Sequence, residues 1–228
     1  MSRIARVFVL SVLAACVLSN PGENVAAADS STMPPAAVPA GDYRLDKAHA
    51  SLIFRVNHLG FSHFTARFTR FDAQLRFDPA DLAAARLTAT VDARSIETDY
   101  PDPVKLDFNA QLRNEQWLNT ARFPEMTFRS TQVEVVGPNA VRVTGDLTLH
   151  GVTHPVVLRA TFNGGYAGHP LDPHARIGFS ARAVLKRSEF GIGFGVPPPG
   201  SQFGVSDEVE IIIETEFSGP AWTPPTQK

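Results

Sequence analysis

The feature that most restricts this chain is a period-two alternation of apolar and polar residues, the signature of strands with one buried face. In Ser51 to Leu59, Leu52, Phe54, Val56 and His58 fall on one face, and Ser51, Arg55 and Asn57 fall on the other. Similar runs occupy Thr65 to Phe77, Arg86 to Ile96, Glu125 to Val136, Ala140 to Leu149, Pro155 to Tyr166, Arg176 to Lys186 and Glu208 to Phe217. Eight strands are expected.

Turn signals such as Asp78-Pro79, Gly137-Pro138-Asn139 and His150-Gly151 separate the runs, with links short enough for antiparallel neighbours. A buried parallel sheet is excluded, because its strands would be apolar on both faces. An all-β antiparallel barrel or sandwich remains. One long connection, Glu97 to Pro124, places Phe108, Leu112 and Trp117 at roughly helical spacing. A short helical insertion near residues 104–119, packed across an opening of the sheet, is expected there.

The ends read differently. Residues 1–28 have the pattern of an export signal, with Arg3 and Arg6 before an apolar run from Val7 to Leu18 that is too short for an ordinary membrane span. Two cleavage signals compete. Ala26-Ala27-Ala28 would release a soluble periplasmic chain, whereas Leu13-Ala14-Ala15-Cys16 resembles a lipobox and would leave Cys16 as a lipid anchor. Residues 29–41 read as a flexible tether and 218–228 as a flexible tail, leaving a domain over 42–217. Cleavage after Ala28 leaves 19 basic and 22 acidic residues, a balance that argues against a nucleic-acid partner.

The chain has 16 Phe but three Tyr and two Trp, so its interior is dry. An eight-stranded barrel is just wide enough to be filled by side chains or to hold one small ligand, and counting Phe does not separate the two. The loop Phe190 to Val205 (FGIGFGVPPPGSQFGV) cannot be a strand, because its three consecutive prolines donate no hydrogen bonds. It is expected to act as an apolar lid over the barrel mouth. No catalytic constellation stands out: there is no GxSxG elbow, no HExxH and no thiol in the domain, and Gly191 to Gly195 lacks the strand-turn-helix setting of a nucleotide loop. The His pairs 58/63, 150/154 and 169/174 do not have the spacing of a zinc site, so no metal and no cofactor are expected.

The segments YRLDKAHASLIFRVNHLGFSHFTARFTRF, GDLTLHGVTHPVVL, KRSEFGIGF and VSDEVEIIIETEF are similar, in this order, to the YceI-like family of exported bacterial proteins. The resemblance runs from about Tyr43 to Phe217. It implies an eight-stranded antiparallel lipocalin-like barrel whose elongated pocket takes a polyisoprenoid or a similar long amphiphile without acting on it chemically. Positions carrying the match include Leu59, Gly60, Phe123-Pro124, Gly145-Asp146-Leu147, His150-Gly151-Val152-Thr153, Arg187, Ser188 and Gly191. With the alternating strands and the loop, the candidate ligand-binding set is Phe54, Val56, His58, Phe68, Phe71, Phe128, Leu147, Phe179, Phe190, Ile192 and Phe194. A departure lies in the helical connection: the family usually has an Arg-Asp-x-His-Leu-like run, where this chain reads KLDFNAQLRNEQWL.

The expected function is therefore binding, with transport or storage, of a long isoprenoid lipid in the cell envelope. A structural or stress-protective envelope protein is the alternative, and an esterase-like enzyme is third. Peripheral or anchored membrane contact follows from the Cys16 reading, and a monomer and a homodimer both fit such a barrel.

Overall fold

The computed structural model describes residues 38–201 and 203–223; the expected export signal, with Cys16, and most of the expected tether lie outside them. Ten strand segments form one closed antiparallel sheet: β1 (Gly41–His58), β2 (Ser62–Phe68), β3 (Phe71–Phe77), β4 (Arg86–Asp92), β5 (Ile96–Glu97), β6 (Glu125–Gly137), β7 (Ala140–Leu149), β8 (Val152–Tyr166), β9 (His174–Lys186) and β10 (Val205–Ala221). β2 and β3 both pair with β1 and continue one stave across a break at Thr69-Arg70. β4 and β5 likewise continue one stave across the 3-10 turn Ala93–Ser95. Ten segments therefore make eight staves, and pairing of β1 with β10 closes the ring. The one α-helix among the described residues, α1 (Phe108–Arg113), lies inside the expected insertion.

The ordered barrel exceeds the expected limits at both ends. Val38 is already buried, Gly41 opens β1, and β10 runs past Phe217 to Ala221. The first half of β1 was hidden from a period-two reading by a bulge. Leu45 pairs with Phe217 and Ala50 with Thr215, so residues 46–49 stand opposite Glu216 alone, and this odd surplus of three switches which parity of β1 faces inward. Tyr43 and Leu45 point in before the bulge, and Leu52, Phe54 and Val56 line the interior after it.

Polar contacts hold this bulge on the outer wall. Asp46 accepts hydrogen bonds from the Ala48 N–H (3.0 Å) and from Arg176, and pairs with His49 (3.1 Å). Arg176 also donates to Asp172 (3.0 Å), whose other partner is the Tyr166 hydroxyl. Donation from His49, Arg176 and the Ala48 N–H lowers the Asp46 carboxyl to about 2, and Asp46 with Glu216 raises His49. Because the Asp46 pKa is depressed below its ordinary 3.8, its contribution is present above pH 4 and is lost as pH falls towards 2. Asp46→Asn is expected to lower stability by about 1 kcal/mol at pH 7, with the deficit shrinking below pH 4. Urea unfolding of both proteins across that range checks it.

Candidate ligand-binding cavity

Inner-face residues decide whether an eight-stranded barrel is solid or hollow. Here β9 turns Ala181 and Ala183 inward beside Ala160 of β8, with Ala89 of β4 and Ala73 of β3 on the opposite side of the ring. These methyl groups cannot meet across the ring, and a cavity of about 780 Å³ remains. Its lining is apolar almost throughout. Along β10 it reaches from Val205 to Phe217, about 40 Å of strand and about 30 Å along a barrel axis tilted in the usual range. The cavity is therefore long for its volume.

One end is packed by aromatic rings, while the lining also reaches the β6–β7 turn, Gly137 to Ala140, on that side. Phe179 makes edge contacts with Phe77 (6.5 Å), Phe162 (5.5 Å) and Phe217 (6.3 Å), above a second small core that contains Val38, Tyr43, Ala175 and Ile177. At the other end the wall includes His58, Ser62, Tyr100, Leu106, Phe108 and Trp117, and both His58 and Ser62 are exposed. α1 and its flanking turns lie across this mouth. Phe108 packs on Phe64 (5.5 Å) and Tyr100 (5.7 Å). Asn109, in the stretch where the sequence departs from the family pattern, ties α1 to the barrel: its side chain accepts from the Thr98 N–H (2.9 Å) and hydroxyl (2.7 Å) and donates to Glu97 (3.0 Å).

The loop from Gly191 to Gly204 is clasped by Arg187, which is 4% exposed. Its guanidinium donates to the carbonyls of Ile192 (3.0 Å), Phe194 (2.7 Å), Val205 (2.8 Å) and Ser206 (2.9 Å) and lies 5.4 Å from the Trp117 ring centre. Burial pushes its pKa down, with Asp207 opposing. A 3-10 turn, Arg187–Phe190, sets up this geometry, and Gly191 ends it at a positive φ of 76°.

Nine of the eleven candidate residues lie on the cavity wall: Phe54, Val56, His58, Phe68, Phe71, Phe128, Leu147, Phe179 and Ile192. Two do not. Phe190 is 1% exposed beneath the turn, where its carbonyl accepts from His150 Nδ1 (3.0 Å) and its ring meets His154 (5.3 Å). Phe194 is turned outward onto Trp117 (5.3 Å). Of the described loop residues between 191 and 204, Ile192 alone contributes to the lining, so the loop is a cover held by Arg187 and not a cluster of pocket phenylalanines. The reading missed Leu52, Phe64, Phe108 and the wall alanines. Strand parity carried a signal for Leu52 and Phe64, whereas nothing local marks an alanine as a gap.

The His pairs do not assemble. His150 and Gly151, at φ 53° and 75°, form the two-residue turn between β7 and β8, a type I′ hairpin. A side chain at Gly151 would strike Phe123, 2.4 Å away, and one at Gly145 would strike the Phe128 ring at the same distance. The motif around these residues is therefore a turn and a packing contact. Among the described residues, the grouping of three His or carboxylate side chains close enough for an ion is Asp46, His49 and Glu216, outside the barrel and shared with Arg176.

A family model for the YceI-like domain matches residues 43–217. The chain belongs to the YceI-like family. A UPF0312 protein of Vibrio cholerae is 38% identical over 160 residues, covering 69% of this chain and 81% of its own. Among solved structures, BcnA of Burkholderia cenocepacia superposes with a TM-score of 0.64 at 25% identity, covering 75% of this chain and 98% of its own. A polyisoprenoid binding domain from Saccharophagus degradans shares the fold, with a TM-score of 0.56 at 17% identity, over 78% of this chain and 98% of its own. The eight-stranded lipocalin-like architecture is thus that of the YceI-like family.

Because Arg187 satisfies four carbonyls through a planar fork, lysine cannot replace it. Arg187→Lys is expected to cost about 2 to 3 kcal/mol and to speed amide exchange selectively across residues 192–205. Hydrogen exchange read by mass spectrometry checks this; uniform loss across the barrel would mean that Arg187 acts on the whole core.

Proposed function

We propose that this YceI-like barrel binds one long apolar lipid, a polyisoprenoid or a similar amphiphile, and carries or stores it in the cell envelope without acting on it chemically. The observation that supports this most directly is the narrow apolar cavity of about 780 Å³. Its volume falls within the range of ligand pockets, while its length favours a chain over a compact molecule. The Saccharophagus degradans relative, named as a polyisoprenoid binding domain, supports the same ligand class. Export to the periplasm, released or held by a lipid on Cys16, accords with this reading.

Each buried CH2 is worth about 0.8 kcal/mol against water, so a lipid tail has a large gross driving force. The competing state is the bilayer, where acyl chains are about as apolar as leucine, so transfer from bilayer to barrel is close to neutral. Near-neutrality suits a carrier, which must release as well as capture. Selection then rests on the width of the cavity and on the few polar groups at its mouth, such as His58 and Ser62.

Native mass spectrometry of protein purified without detergent tests the reading directly. Wild type is expected to carry one lipid-sized adduct, extractable into organic solvent. Ala183→Phe, which fills the central wall, is expected to remain folded and lose the adduct, with little change or a modest gain in melting temperature. Phe54→Asp should also empty the cavity, at a cost of several kcal/mol for an unpaired buried carboxylate. An empty wild-type barrel would return the field to the structural envelope protein.

A further inference from the structure

Five large apolar side chains stand in the open around the mouth. Phe61 and Phe203 are each 86% exposed, Val104 98%, Phe194 47% and Leu106 38%. They come from three segments that meet at this end. The Leu59 N–H donates to the Gly204 carbonyl (3.0 Å), joining the β1–β2 connection to the loop before β10. Phe194 rests on Trp117, and Phe108 ties the third segment to β2 through Phe64. Leu106 belongs to the rim and to the cavity wall alike, so the outer apolar surface leads into the tunnel.

Two of these segments, residues 59–62 and 191–205, contain no charged residue. Part of their backbone polarity is already removed or bonded. Pro197, Pro198 and Pro199 have no N–H, while the N–H groups of Val196, Ser201 and Val205 are bonded within the loop at 3.0 to 3.2 Å. Arg187 takes the carbonyls of Ile192 and Phe194. Placed at the headgroup–acyl boundary, such loops strand fewer polar groups than an open loop would, and their remaining N–H groups stay within reach of headgroups. The third segment sets Asp102, Lys105 and Asp107 around Val104 and Leu106. The far end also exposes Leu171 (92%), Val135 (57%) and Val136 (53%), but they are spread over separate segments and its connections before β4 and β9 carry Asp78, Asp81, His169 and Asp172.

The geometry points to a docking surface for a lipid bilayer, with Phe61, Val104, Phe194 and Phe203 entering the headgroup–acyl boundary and the cavity mouth facing the membrane. This rests on the lipid-carrier reading, since it supplies a dry path between bilayer and cavity. Apolar burial drives the contact, so it is insensitive to salt and needs no anionic lipid.

The test uses the full chain with Cys16→Ala, which removes the sole cysteine and any lipid anchor. An environment-sensitive fluorophore is attached at Phe61→Cys, and at Leu171→Cys as a far-end control, and phosphatidylcholine vesicles are added at low salt and at about 0.5 M salt. A blue shift is expected at position 61 and none at 171, with the same midpoint in both salts. Adding Phe203→Ser and Val104→Ser should raise the midpoint vesicle concentration about tenfold or more. No shift at 61, equal shifts at both positions, a salt-abolished response or an unmoved midpoint in the double variant would each overturn the docking surface. Native mass spectra of the same labelled proteins separate the two ideas: lipid still bound in a protein that shows no shift overturns docking and leaves the carrier reading standing.

Discussion

Ten residue pairs between β1 and β10, from Arg44 with Ser218 to His58 with Val205, join the first stave of the sheet to the last. Everything else in the domain depends on this closure. An open sheet with this inner face would expose two unpaired edges and an apolar surface to water. Closed, it satisfies its backbone and separates a charged exterior from a dry interior. The outer face reinforces the seam where Glu210 of β10 accepts from Arg55 of β1 (2.9 Å) and Arg182 of β9 (2.9 Å), which lowers the Glu210 pKa.

Once the ring exists, its interior is set by the sizes of the inward side chains. Phe77, Phe162, Phe179 and Phe217 fill one end, and five alanines on four staves leave the middle hollow. The opposite end is finished by non-strand segments, α1 with its turns and the loop clasped by Arg187. The result is a tube with an aromatic plug and a loop-built mouth, and the proposed lipid entry and membrane contact both fall on those loops.

Two interruptions of regular pairing have purposes of their own. The bulge at residues 46–49 reverses the parity of β1, so that Tyr43 and Leu45 serve the plug while Phe54 and Val56 serve the cavity. The break at Thr69-Arg70 and the turn Ala93–Ser95 fall side by side, where Ser95 bonds the backbone of Thr69 and Arg70 and Asp92 pairs with Arg70 and Arg94. These contacts let two staves bend together without leaving an open seam.

Alternation alone made the strands, their antiparallel order and the apolar inner face legible, because side-chain direction in a strand is a local property with a period of two. Eight of the eleven candidate lining residues are strand residues on the cavity wall for that reason, and Ile192 joins them from the loop. The first half of β1 was not legible, since a bulge resets the period and only its partners on β10 reveal it. Phe190 and Phe194 look like pocket residues in sequence, yet one is buried beneath the turn and the other faces out, because Arg187 gathers the loop's carbonyls and so fixes which side chains turn inward. Hollowness itself was decided only in three dimensions. An alanine is a gap when the residues across the ring are too short to reach it, and that is a relation between staves far apart in the chain.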